Sequence, residues 1–99
     1  MAQRKIIWSH RARIKLYAIL EYFAKRNKSK VYSAKLYRRF TQEMELVRNQ
    51  PDLGIRTEIE SVRGLIVGNY ILFYEITSTH IMLLTVWDSR QDPQKLKVK

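Results

Sequence analysis

The chain has no cysteine, only two histidines, three glycines and two prolines, and nine acidic residues among its 99. Without thiols it can form neither disulfides nor thiolate metal sites, and a reducing compartment suits it. The few glycines and prolines exclude a collagen-like or low-complexity linker composition. Two isolated histidines offer little for acid–base chemistry, and no cluster of His, Asp and Glu has metal-ligand spacing; no cofactor or metal is expected. No apolar run nears the roughly 20 residues of a membrane span. Met1 to Lys5 lead into only three apolar residues before Ser9-His10-Arg11, unlike a secretory signal. A cytoplasmic protein that does not enter the membrane is expected.

What is abundant is positive charge. Nineteen Lys and Arg against nine Asp and Glu give +10. On so small a chain this field draws polyanions: nucleic acid, the ribosome, or an acidic protein segment. It fixes the sign of a partner and not its identity. The 45% hydrophobic content argues for a folded chain, and the length for a single domain over residues 1–99.

Lys5 to Trp8 read as a short strand, after which Ser9 stands where a helix N-cap belongs. Ala12, Leu16, Ile19, Leu20 and Phe23 recur at helical spacing, which predicts an amphipathic helix over 10–26. Asn27-Lys28-Ser29 breaks it, with Ser29 placed to cap a second helix. On that helix Ser33, Tyr37, Phe40, Met44 and Val47 mark one face, flanked by Ala34 and Leu36. So short a link makes the pair an αα-hairpin. Pro51 to Gly54 form a turn, and the period then changes to 2. Residues 57–60 are a weak strand candidate; 63–67, 70–76 and 81–87 are stronger. Gly68-Asn69 between two of them favours a type II′ hairpin, and a helical turn is expected in the tail over 94–99. The expected class is α+β, with the N-terminal strand and the αα-hairpin packed on one face of a mainly antiparallel sheet of four or five strands.

A sheet with water on one side should alternate apolar and polar residues. Here Tyr70, Leu72, Tyr74 and Ile76 are backed by Ile71 and Phe73, and Ile81, Leu83 and Thr85 by Met82, Leu84 and Val86. Both faces are greasy, so the second needs a cover, either the chain's own tail or, as the favoured expectation, another protein.

The stretch from Arg63 through Gly64, Gly68, Tyr70 and Tyr74 to Ile76 resembles the hallmark hairpin of RelE/ParE-superfamily toxins. Leu84 to Pro93 resembles that family's last strand and terminal arginine loop, Trp8 to Ala12 its opening strand and cap, and Asn49 to Gly54 the turn after its second helix. The resemblance implies a toxin of a type II toxin–antitoxin system, silenced by an acidic and largely disordered antitoxin, with which it forms a hetero-oligomer. It also implies a target, either DNA gyrase (the ParE branch) or mRNA cleaved on the ribosome (the RelE branch).

RNA cleavage through the 2′-hydroxyl needs a base, cations for the charged phosphorane and an acid for the leaving oxygen. Arg63, Arg90, Tyr70 and Tyr74 are the candidate catalytic groups, though each also admits a structural role. Arg63 is placed to pair with Glu75 or Asp88, and the tyrosines to be core. Where RelE-like nucleases carry an arginine in the hairpin this chain has Ile66, which stabilises no charge, and the tail after Arg90 holds neither His nor Tyr. Arginine is a poor general base. Arg63, Trp87, Arg90 and Lys95 are the candidate target-binding residues, with Trp87 placed either to stack on a base or, as the favoured expectation, to pack beneath the tail. Asp88, Arg90 and Asp92 are expected to form a local ion-pair network. These features favour a ParE-like poison over a metal-independent ribonuclease. A plain basic nucleic-acid-binding module ranks third, because Tyr17, Tyr22, Tyr32 and Tyr37 lie on the helices.

Overall fold

A computed structural model describes residues 4–96 and residue 98. β1 (Lys5–Trp8) leads into α1 (His10–Asn27) and α2 (Val31–Asn49). A 3-10 turn (Pro51–Leu53) follows, then β2 (Ile55–Arg56), β3 (Val62–Val67), β4 (Tyr70–Ile76) and β5 (His80–Asp88), with a second 3-10 turn at Pro93–Lys95. The sheet order is β1-β5-β4-β3-β2. Only β1 runs parallel to its neighbour, β5; the other pairs are antiparallel. No helix among the described residues is long and apolar enough to cross a membrane.

The ends of α1 follow their sequence signals, whereas the start of α2 does not. Ser9 is extended and its Oγ accepts the Ala12 amide at 3.0 Å while donating to the Leu84 carbonyl at 2.8 Å, so one hydroxyl caps α1 and ties it to β5. α1 stops at Lys28, whose left-handed φ of 51° is the only positive φ among the described non-glycine residues. Ser29 accepts from the Val31 amide at 3.2 Å, although the residue in the cap position of α2 is Lys30.

The two helices cover one sheet face. Ala12 and Leu16 from α1, with Leu36, Phe40, Met44 and Val47 from α2, pack on Leu65, Leu72, Tyr74, Ile81 and Leu83. The buried Ser33 hydroxyl donates to the Leu20 carbonyl at 2.7 Å, so its burial leaves no unpaired group. Tyr37, expected on the inward face, is exposed, and Leu36 is buried in its stead. Both flank the apolar stripe, but the sheet lies on the leucine's side and the tyrosine hydroxyl keeps its water.

Three further expectations are corrected. Residues 57–60 form no strand; Ile55–Arg56 pair with β3 instead. Thr57 explains this: its hydroxyl accepts from the Ile59 amide at 3.2 Å and is shared between the Ile59 and Val62 carbonyls at 3.1 and 2.9 Å, giving the backbone an alternative to a ladder. The strict alternation along β5 fails at a bulge. Phe73 pairs with Thr85 and Tyr74 with Leu83, so Leu84 is extra. Beyond it Val86 turns to the helix side, and Thr85 and Trp87 to the opposite face. At the β3–β4 turn the expectation holds: Gly68 has φ 61° and Asn69 does not, the pattern of a type II′ turn.

The third correction concerns the cover of the second face. Leu96 and Val98 of the tail pack against the cluster of Val62, Phe73 and Trp87, with Ile71 and Leu84 beside them. The chain's own tail, not another protein, shields the middle of that face. Apolar surface remains open at the two edges of that face: Ile55 and Ile66 at the β2–β3 margin are 61% and 59% exposed, and Ile7 on β1 is 37% exposed. Among the described residues of the tail the helical piece is the turn at Pro93–Lys95; Lys97 and Lys99, also within the expected turn, lie outside the described residues.

Candidate functional site

The candidate residues fall in three places. Tyr74 and Arg63 sit together at the end of the sheet near the Pro51–Gly54 turn. The Tyr74 ring is fully buried, and its hydroxyl donates to the Pro51 carbonyl at 2.7 Å and accepts the Gly54 amide at 2.8 Å. Arg63 donates to the Gly54 and Asp52 carbonyls at 2.8 and 3.3 Å and lies 3.4 Å from the Asp52 carboxylate. The expected pairing of Arg63 with Glu75 or Asp88 is therefore replaced by one with Asp52. The cause is register: Arg63 is opposite Tyr74, one residue from Val62, which faces Glu75. Burial raises the Tyr74 pKa, against the Gly54 amide, which lowers it. Both side chains are used in clamping a turn onto the sheet.

Tyr70 and Arg90 meet at the other end, roughly 13 Å along β4 from Tyr74 for four residues of strand. They border a groove of about 430 Å³ between α1 and the ends of β4 and β5. Ala18, Ile19, Phe23 and Val86 give it an apolar lining; Lys15, Tyr22, Asp88 and Gln91 complete its rim. Arg90 grips Asp88 side-on, Nε to Oδ1 at 2.9 Å and Nη2 to Oδ2 at 2.8 Å, while its amide donates to Oδ1 at 2.9 Å. Those hydrogen bonds lower the Asp88 carboxyl and raise the Arg90 guanidinium. Asp92 is not in this pair; it caps the last 3-10 turn by accepting the Gln94 amide at 3.0 Å. Burial, and then the Asp88 charge, raise the Tyr70 phenol, so it resists acting as a base.

Trp87 and Lys95 line a third feature, a cleft of about 220 Å³ shared with Arg11, Lys15 and Thr85. Trp87 is 6% exposed, with Leu96 and Val98 packed on its cluster, so its ring is placed for packing and not for stacking on a base. Ile66 stands on the open margin of the same face. The histidines lie elsewhere: His10 opens α1 and His80 opens β5. Among the described residues no three His, Asp or Glu side chains are placed to hold a metal.

Sequence reasoning missed the α1 side of the groove. Lys15, Ala18 and Tyr22 recur at intervals of three and four, a second stripe beside the core stripe. That periodicity was the available signal. What it could not give was the partner wall, which exists because the bulge at Leu84 turns Val86 toward the helix.

The arrangement offers an apolar slot with cations at its lip, suited to gripping an anionic and partly apolar ligand. The described groups at this groove can stabilise negative charge through Lys15, with Arg90 already paired to Asp88, but a phenol with a raised pKa is a poor proton acceptor.

Comparison with known proteins agrees with this fold. A solved structure described as the chromosomal ParDE TA system from P. aeruginosa superposes with a TM-score of 0.73 over 85% of this chain and 94% of that one, at 15% identity. At that identity the likeness shows the fold alone. A search of curated protein sequences finds no match. The family model of the ParE toxin of type II toxin–antitoxin systems (parDE) matches residues 6–93, nearly the whole chain from β1 to the last turn. The chain belongs to the ParE toxin family, as a RelE/ParE-superfamily toxin of a type II toxin–antitoxin system.

Proposed function

We propose that this ParE-like toxin acts by binding and poisoning DNA gyrase in the cytoplasm, and that an acidic antitoxin segment silences it by filling the groove between α1 and the β4–β5 hairpin. The observation that carries the first part is the fate of the four candidate catalytic residues. Arg63 and Tyr74 are occupied in bracing the Pro51–Gly54 turn, and Tyr70 and Arg90 stand at the opposite end beside a carboxylate that Arg90 already holds. A ribonuclease needs these groups around one phosphate, with one of them able to take a proton. The arrangement suits recognition better than proton transfer, in keeping with the ParE branch of the superfamily.

For the antitoxin the support is complementarity. The groove joins an apolar lining to Lys15, on a chain of net charge +10, while Arg90 at its rim is paired with Asp88. An acidic segment that orders on binding loses conformational entropy, which apolar anchors and paired charges together offset. Leucine or phenylalanine side chains spaced along such a segment, with carboxylates between them, fit this lining.

The test uses purified toxin and gyrase. Lost supercoiling and trapped DNA cleavage complexes are expected, together with unchanged mRNA 5′ ends after induction in cells. Codon-phased mRNA cuts with gyrase unaffected would refute the proposal in favour of the ribosome-dependent ribonuclease.

A further inference from the structure

The cleft beside Trp87 differs in chemistry from the groove. It lies where β1 has ended: β1 pairs with β5 only from His80 to Leu83, and Ser9 then turns the chain into α1 along the edge of Leu84. The first turns of α1 therefore supply Arg11 and Lys15, β5 supplies Thr85 and Trp87, and the last 3-10 turn supplies Lys95. Lys15 and Lys95 have no ion pair among the described residues.

Thr85 and Trp87 are buried to 2% and 6% exposure, yet neither the hydroxyl nor the indole N–H has a hydrogen-bond partner among the described residues. Nor is either atom sealed in the interior: Arg48 Nε is the one enclosed and unpartnered side-chain atom found there. The surface these two groups retain belongs to residues that line the cleft. Both residues line the cleft, so a ligand seated there comes within reach of a hydroxyl and an indole N–H that the described residues leave unpartnered. With them stand the Arg11 guanidinium and the Lys15 and Lys95 ammonium groups, and among the described residues no carboxylate lines the cleft.

We infer that this cleft binds a backbone phosphate of a nucleic acid. Five donor-bearing side chains around about 220 Å³ match an oxyanion. The choice of a phosphodiester over a protein carboxylate rests on the walls. An acidic protein segment brings aliphatic side chains that need apolar contact, which the neighbouring groove offers. This cleft has only the indole and a threonine methyl. A nucleic-acid strand presents charge without apolar flanks, and cations that meet it need only be spaced along it. Lys15 lines both features, so the cations run from Lys95 and Arg11 past Lys15 to Arg90. The site is independent of the gyrase assignment, since it concerns phosphate whatever enzyme accompanies it.

The test measures binding of the full chain to a duplex DNA oligonucleotide of arbitrary sequence, by fluorescence anisotropy over a range of salt. Each phosphate contact contributes about 0.9 to the slope of log affinity against log salt. Lys15→Gln with Lys95→Gln should flatten the slope by about 1.8 and weaken binding roughly tenfold at moderate salt. Lys28→Gln with Lys30→Gln removes the same charge about 20 Å away along α1 and should leave the slope nearly unchanged. Thr85→Val, which alters no charge, should weaken binding several-fold with the slope intact. Equal effects from the two double variants would overturn the inference, because the +10 field alone would then explain binding. It would also fall if the first double variant lost affinity for a poly-glutamate peptide but kept that for DNA, which would make the cleft a carboxylate site.

Discussion

Replacing Tyr74 by phenylalanine separates a structural tyrosine from a catalytic one. Its hydroxyl makes two hydrogen bonds, of 2.7 Å to the Pro51 carbonyl and 2.8 Å from the Gly54 amide, at a fully buried ring. Phenylalanine fills the same space, so no cavity forms and the cost is that of two backbone groups left without partners. An unsatisfied buried group costs about 1–3 kcal/mol. The Gly54 bond is buried and should count in full, while the Pro51 carbonyl is partly exposed and can recover water. The expected loss is about 2–3 kcal/mol, or about 10–20 °C in Tm for a domain of this size. Thermal melting and denaturant titration would measure it, with the denaturant slope unchanged because the folded state is as compact as before. Below its melting point the variant should still inhibit the target as the wild type does. A stability loss under about 0.5 kcal/mol, or a folded variant without toxicity, would refute the reasoning.

Two further outcomes follow from the same contacts. Ser9→Ala removes both the cap on Ala12 and the donor to the Leu84 carbonyl, and should cost about 2 kcal/mol by denaturant titration, twice a simple cap. Asp88→Asn tests the clip with Arg90. Hydrogen bonds from Arg90 hold the folded carboxyl below its ordinary value of 3.8, so its contribution is present above that pH and fades as pH falls through the lowered value. Wild-type stability should therefore drop more steeply than that of the variant below pH 3.8, and parallel curves would contradict the clip.

Periodicity carried most of the fold. The αα-hairpin, the three long strands and the Gly68-Asn69 turn stand where spacing placed them, because each has a buried face that only one period satisfies. The failures lie in contacts that periodicity does not encode, some distant along the chain and some local. A bulge at Leu84 is set by pairing with β4 and leaves no mark in β5 alone, yet it decides that Val86 lines the groove and Thr85 the cleft. Thr57 diverts its strand through a hydroxyl that composition reads as β-favouring. The site was half legible. Arg90, Trp87 and Lys95 do lie on two adjoining features, but Arg63 reads alike whether it clamps a turn or faces a substrate, and only the position of Asp52 and Gly54 decides.

On the proposed reading, the groove between α1 and β5 holds the acidic partner. Ala18 is exposed on its floor, so Ala18→Glu puts bulk and a repelling carboxylate inside it without disturbing the core. Titration calorimetry of this variant against its antitoxin should show affinity at least about tenfold below wild type, for a penalty near 1.4 kcal/mol. Unchanged affinity in a folded variant would place the antitoxin elsewhere and contradict the account.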